Sequence, residues 1–283
     1  MTEPTHLAAL YNAAEIILWV EDRVTAAYLK EIWGQDPRFA LYLGGGHENL
    51  AAVVEDAQRS GRGHVFGLRD RDFGPTNRPG WREANVSTLA LETFEIECFL
   101  LDPPALAACR VNFARRSESE ISERLHEHAA GLLWWMACRQ VINGLREARQ
   151  QDFPKHPKRS DVTTKETATR ILFDNAWVKK TAPGLGKKVE PAQLCLALEN
   201  AHSEYAGHLA ADTWASNFSG KEIIGELVSW LYTRNRPKGS AGLEDLAKAV
   251  AEAQTRAGRA PVELLELRDA LVARPRPPLL GSP

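Results

Sequence analysis

The chain reads as an α/β protein, with a mostly parallel sheet flanked by helices and an α-helical domain after it. Three observations predict this. Over roughly the first hundred residues, short apolar runs alternate with amphipathic helical segments. Beyond about residue 103 the pattern turns helical. At 283 residues, 44% hydrophobic and 25% charged, the chain can bury a core without staples. Strands separated by helices imply right-handed crossovers, hence a largely parallel sheet.

The elements follow in order. EIILWV (residues 15–20) is a continuous apolar run, as suits a strand covered on both faces. It runs directly into EDRVTAAYLKEIW, where Val24, Tyr28, Leu29 and Ile32 recur at helical spacing. RFALYL (38–43) predicts a second strand, followed by three glycines and a helix over about 47–58. The glycines Gly44, Gly45 and Gly46 permit close backbone approach or positive φ, and no GK[ST] follows to make a P-loop. HVFGLRD (64–70) and STLAL (87–91) predict the third and fourth strands. Residues 117–151 form one long helical pattern, opened by Ser117 with Glu120 three residues on, a capping-box signature. Further helices are predicted near 191–205, 221–234, 242–257 and 261–273, and the Pro-rich tail reads as disordered. The organisation expected is a core over 1–102, a helical insertion with a basic stretch over 103–215, a core-completing helix over 216–234, and C-terminal helices and tail over 235–283.

Composition narrows the function classes. With 35 Lys and Arg against 37 Asp and Glu, global charge neither favours nor opposes a nucleic-acid partner. The four cysteines lie far apart with no CxxC pair, the pattern of reduced core thiols rather than of a disulfide framework or zinc site. His47, His126, His128 and His202 lack metal-ligand companions at useful spacing. No leader pattern opens the chain, and its most apolar stretch, residues 129–138, is too short to span a bilayer. A cytoplasmic protein without membrane association is expected.

The chemistry is carried by acids. In open α/β sheets, sites form at the carboxyl ends of strands. Glu21 follows the first strand, Asp70 and Asp72 close the third in LRDRDF, and Glu95 and Glu97 follow the fourth in FEIECFLLDP. In an extended segment, residues two apart point the same way, which would aim Asp70 and Asp72 together. Each feature alone is commonplace: helix N-caps, turns and first helical turns all favour acids. Their joint occurrence after strands one, three and four is not. Carboxylates without Cys or His suit a hard ion such as Mg²⁺ or Mn²⁺, which serves phosphoryl chemistry. Lys221, after Gly220 at a predicted helix start, sits where backbone N–H groups and a cation together favour phosphate. Residues 149–188 carry ten Lys or Arg against four Asp or Glu, with aromatics interleaved. Lys155, Lys158, Arg159, Lys179 and Lys180 there are candidate nucleic-acid contacts, a solvated surface being the alternative.

These residues resemble a known pattern. WVEDRVTAAYLKEI is similar to the opening Toprim motif, GGGHENL to its glycine turn, FGLRDRDFGP to its DxD motif and FEIECFLLDP to its downstream acidic element. NFSGKEIIGEL (217–227) resembles the helix that brings a lysine to the site. The resemblance is to OLD-like Toprim nucleases, especially the small Toprim effectors of PARIS-type anti-phage systems. It covers roughly residues 15–102 and 216–231.

That resemblance implies a metal-dependent endonuclease. Glu21, Asp70, Asp72 and Glu97 would hold Mg²⁺ or Mn²⁺, Glu95 would stand at a variable ligand position, and Lys221 would stabilise charge. Thr25 replaces an acid common in relatives, which bears on a second metal. The resemblance also implies a DNA or RNA substrate, tRNA among the options, an ABC-type ATPase partner and an active homodimer. A topoisomerase or primase would need a nucleophilic-tyrosine domain or zinc module that is not recognisable here. A non-catalytic Toprim-like binding module is the other alternative.

Overall fold

A computed structural model describes residues 9–73, 80–83, 86–147, 156–181, 190–232 and 241–274. Four strands, β1 (Ile16–Val20), β2 (Phe39–Leu43), β3 (Val65–Arg69) and β4 (Thr88–Ala90), form one sheet in the order β2-β1-β3-β4. Every pairing is parallel. The protein is therefore α/β with an all-parallel sheet, as expected.

β1 shows why its run of apolar residues is unbroken. Ile16, Leu18 and Val20 face the large core, together with Val24, Tyr28 and Leu29 of helix α1 (Arg23–Ile32). Ile17 and Trp19 face a smaller core with Leu50, Val54 and Ala57 of helix α2 (His47–Arg59). Both faces are covered, so no polar alternation is possible. Two glycines set the distance to α2. A Cβ on Gly67 would fall 2.4 Å from Leu50 Cδ2, and one on Gly44 2.9 Å from Leu50 Cβ. Gly45 and Gly46 have φ of 72° and 108°. The triple glycine thus serves close approach at its first position and left-handed backbone at the other two.

After β4 comes a 3-10 turn, Ile96–Leu100, then α3 (Pro103–Ala108), α4 (Glu118–Ala130) and α5 (Leu133–Glu147). The capping box of Ser117 and Glu120 forms as its spacing suggests. The single long helix expected from residue 117 is broken: α4 ends with Gly131 at its C-cap and α5 begins at Leu133. The remaining described α-helices are α6 (Lys165–Asp174), α7 (Ala176–Thr181), α8 (Pro191–Ala210), α9 (Gly220–Tyr232), α10 (Ala241–Arg256) and α11 (Val262–Ala273). α5 packs along α8, while α10 lies against α1. The C-terminal helices are thereby layered onto the sheet's own helix. Pro-rich residues 275–283 lie outside the described part. Cys98, Cys109 and Cys138 are buried free thiols, Cys195 is partly buried, and no described helix is long and apolar enough to cross a membrane.

Candidate metal centre

The carboxyl ends of β1, β3 and β4 gather the acids. Asp70 follows β3 directly, and its Oδ1 accepts the Ile96 N–H at 3.0 Å. Asp72 departs from the sequence-based expectation. β3 ends at Arg69 and Asp72 has φ 48°, so strand alternation does not aim it. Its N–H instead donates to Phe94 O at 2.8 Å, which ties the DxD turn to the segment before Glu95. This left-handed backbone is one that Asp tolerates better than most residues.

Glu95 and Glu97 are buried, with 7% and 2% of their surfaces exposed. Asp70 is partly open to solvent although protein surrounds it densely; Glu21 and Asp22 are partly buried, and Asp72 and Lys221 are exposed. The acids thus grade from a buried floor to an open rim. Burial pushes the Asp70 carboxyl well above the usual range, and repulsion from Glu97, Glu95, Asp72 and Glu21 adds to it. All five predicted ligands therefore share one electrostatic neighbourhood. Burial lifts Glu95 to about 7, opposed by the Lys221 N–H and Ser219 hydroxyl that donate to it. Burial, then repulsion from Glu95 and Asp22, lifts Glu97 to about 8.

Helix α9 docks here by its N-terminus. A Cβ on Gly220 would lie 2.5 Å from the Cys98 nitrogen and 2.6 Å from the Glu97 carbonyl carbon, so glycine lets the helix touch the backbone that carries Glu97. Glu95 Oε1 accepts from the Ser219 hydroxyl at 3.0 Å and from the Lys221 N–H. It caps the helix from another segment, favoured by the positive end of the helix dipole. Arg71 donates to Ser216 O and Asn217 Oδ1, Phe94 N–H to Ser216 O, and Cys98 Sγ–H to Phe218 O. These ties bring Lys221 to the acids, its charge acting on Glu97.

Among the described residues, no three His, Cys, Asp or Glu side chains converge closely enough, as they stand, to hold an ion together. Glu95 Oε1 and Asp70 Oδ1 are turned to backbone N–H groups. The donor chemistry nevertheless fits a hard cation: oxygen throughout, with negative charges whose burial only a cation or protons offset. Thr25 takes no part as a ligand; its N–H and hydroxyl both donate to Asp22 Oδ1, at 2.8 and 3.0 Å, and close the cap of α1.

The basic candidates are dispersed. Arg159 pairs with Glu226 at 3.4 Å and contacts Glu222 O, joining its loop to α9. Lys179 pairs with Asp174 at 3.1 Å, Lys158 and Lys180 are exposed, and Lys155 lies outside the described residues. Sequence reasoning passed over Arg139 of α5, whose charge reaches Asp72 and Glu95. Its signal was present: one cation four residues after Trp135 and three before Ile142, on an otherwise apolar stripe. No family model matches the chain, and no curated protein matches it either.

Proposed function

We propose that the chain is a Mg²⁺- or Mn²⁺-dependent Toprim-type nuclease of the OLD-like kind that cleaves phosphodiester bonds in DNA or RNA. One observation carries the reading: acids from three strand ends and the N-terminus of a lysine-bearing helix meet at one end of a parallel sheet. Asp70, Asp72, Glu97 and Glu21 are the residues that would hold the cation. A bound ion of this class polarises the phosphate and lowers the pKa of water. Lys221 presents its side-chain charge at the exposed rim, while its N–H is already taken by Glu95, so a phosphate would be met by the ammonium group and not by the helix backbone. Glu95, with Oε1 held by Ser219 and Lys221, keeps that helix in place and has Oε2 for the ion. Asp22 and Glu95 are the acids nearest to standing in for the carboxylate that Thr25 replaces.

The regulatory part of the reading rests on the resemblance to PARIS-type effectors. The chain is a cytoplasmic toxic effector restrained by an ABC-type ATPase partner, released as a homodimer, with tRNA as its target. Phe113 and Leu196, exposed on the helical segment after residue 103, are suited to such contacts. Co-expression with the ATPase followed by size exclusion tests this part.

The core of the reading is tested with purified chain, plasmid, single-stranded DNA and tRNA, in Mg²⁺, Mn²⁺ or EDTA. Cleavage should need the cation and vanish in the Asp70→Asn, Asp72→Asn double variant, while Lys221→Ala lowers turnover and leaves cation affinity nearly intact. Asparagine at 70 keeps an acceptor for the Ile96 N–H. Cation-independent cleavage, or a folded double variant of full activity, overturns the assignment. Nucleic-acid binding without any cleavage favours the non-catalytic Toprim-like module instead.

A further inference from the structure

Arg139 enters this end of the molecule from α5, within the helical segment that the Toprim resemblance does not cover. Its guanidinium carbon lies 4.8 Å from the ring centroid of Phe73 and 4.5 Å from that of Trp135. Phe73 meets Phe94 edge-on at 5.0 Å. Phe73 follows Asp72 and Phe94 precedes Glu95, so the arginine stacks on one of the two rings that flank the acids, and that ring packs on the other. Asp72, Glu95 and Glu222 are the carboxylates its charge reaches.

These carboxylates act on it from a distance only. Arg139 makes no ion pair among the described residues, and its buried Nε has no hydrogen-bond partner there. A largely enclosed guanidinium with an unpartnered Nε is costly, and cation–π contact offsets only part of that cost. Its planar fork of N–H donors matches phosphate oxygens, which a lysine cannot reproduce. The ring contacts preorganise that fork, so little rotamer freedom is left to lose on binding.

We infer that Arg139 is a substrate-binding residue, holding a non-bridging phosphate oxygen of the nucleic-acid backbone beside Asp72. The inference rests on the nuclease reading and adds a residue from α5 to the site. It makes the helical segment part of substrate recognition rather than only a docking surface.

The test compares Arg139→Gln and Arg139→Lys with the wild-type chain. Cleavage of a labelled single-stranded oligonucleotide is followed in Mg²⁺, and its binding is followed in EDTA across a salt series. Arg139→Gln should raise KM about tenfold or more, affect kcat less, and reduce the slope of log affinity against log salt by about one. Mn²⁺ affinity should not move. Arg139→Lys should recover the salt slope and only part of KM. Wild-type KM and slope in a folded Arg139→Gln protein would make Arg139 an aromatic strut and overturn the inference. If the Gln variant does not fold, the Lys variant carries the test: a folded protein with raised KM supports the phosphate role, and one with wild-type KM contradicts it. A wild-type chain that neither binds nor cuts would remove the nuclease reading itself, and this inference with it.

Discussion

Two polar clusters share the 3-10 turn Ile96–Leu100, and they are built on opposite principles. In the first, the buried Tyr28 hydroxyl donates to Gln254 Oε1 at 2.5 Å, and Gln254 Nε2 donates to Phe99 O at 2.9 Å and Asp102 Oδ2 at 3.2 Å. Arg259 completes the chain with a 2.9 Å ion pair to Asp102. Each donor meets an acceptor, and the network fastens α10 to α1 and to the turn. In the second, Asp70, Glu95 and Glu97 crowd negative charge into a protein interior that raises the proton affinity of all three. The first cluster lowers the energy of the fold; the second raises it unless protons or a cation arrive. Buried like charges beside a well-satisfied network are the contrast on which the proposed cation site rests.

The largest effect expected from breaking this contrast is on the satisfied side. Gln254→Leu strips partners from Tyr28, Phe99 O and Asp102 and should destabilise the chain by about 3 kcal/mol. Denaturant unfolding should show that loss equally at pH 5 and pH 8, with or without divalent cation. A loss confined to high pH would mean that the two clusters are not separate.

The next effect has the opposite sign. The folded carboxyls of Glu95 and Glu97 hold their protons up to about 7 and 8, above the usual value of 4.5. The native state therefore binds more protons than the unfolded chain between those values. Stability from these groups is fully present below about pH 4.5 and is lost as pH rises through 7 to 8. Glu97→Gln should thus stabilise the metal-free protein at pH 8 by roughly 2 kcal/mol and flatten its pH dependence. Thermal melts in EDTA from pH 5 to 8.5 check this, and a variant less stable than wild type at pH 8 would contradict it.

Much of this was legible in the sequence. The strand runs, the two uses of glycine at 44–46 and the Ser117 capping box are local, and local chemistry decides them. That the acids gather at one end of the sheet was readable because topology puts strand ends together. What escaped was long-range. Tyr28 and Gln254 are 226 residues apart, and Arg139 reaches the site only through packing of α5 against the DxD turn. The left-handed Asp72 escaped because its N–H is captured by Phe94 O, a contact that the motif alone does not specify. The capping of α9 by Glu95 escaped because it depends on Gly220 touching the Cys98 backbone.

The central claim is that the acidic end of the sheet is a cation site, and it is tested most directly by thermal stability of the metal-free chain at pH 8 during titration with Mg²⁺ or Mn²⁺. The wild-type chain should gain melting temperature saturably, since an ion that binds only the native state stabilises it by mass action. The Asp70→Asn, Asp72→Asn variant should start higher, because repulsion is relieved, and gain little. Equal gains in both proteins, or no gain in the wild type, would contradict the account.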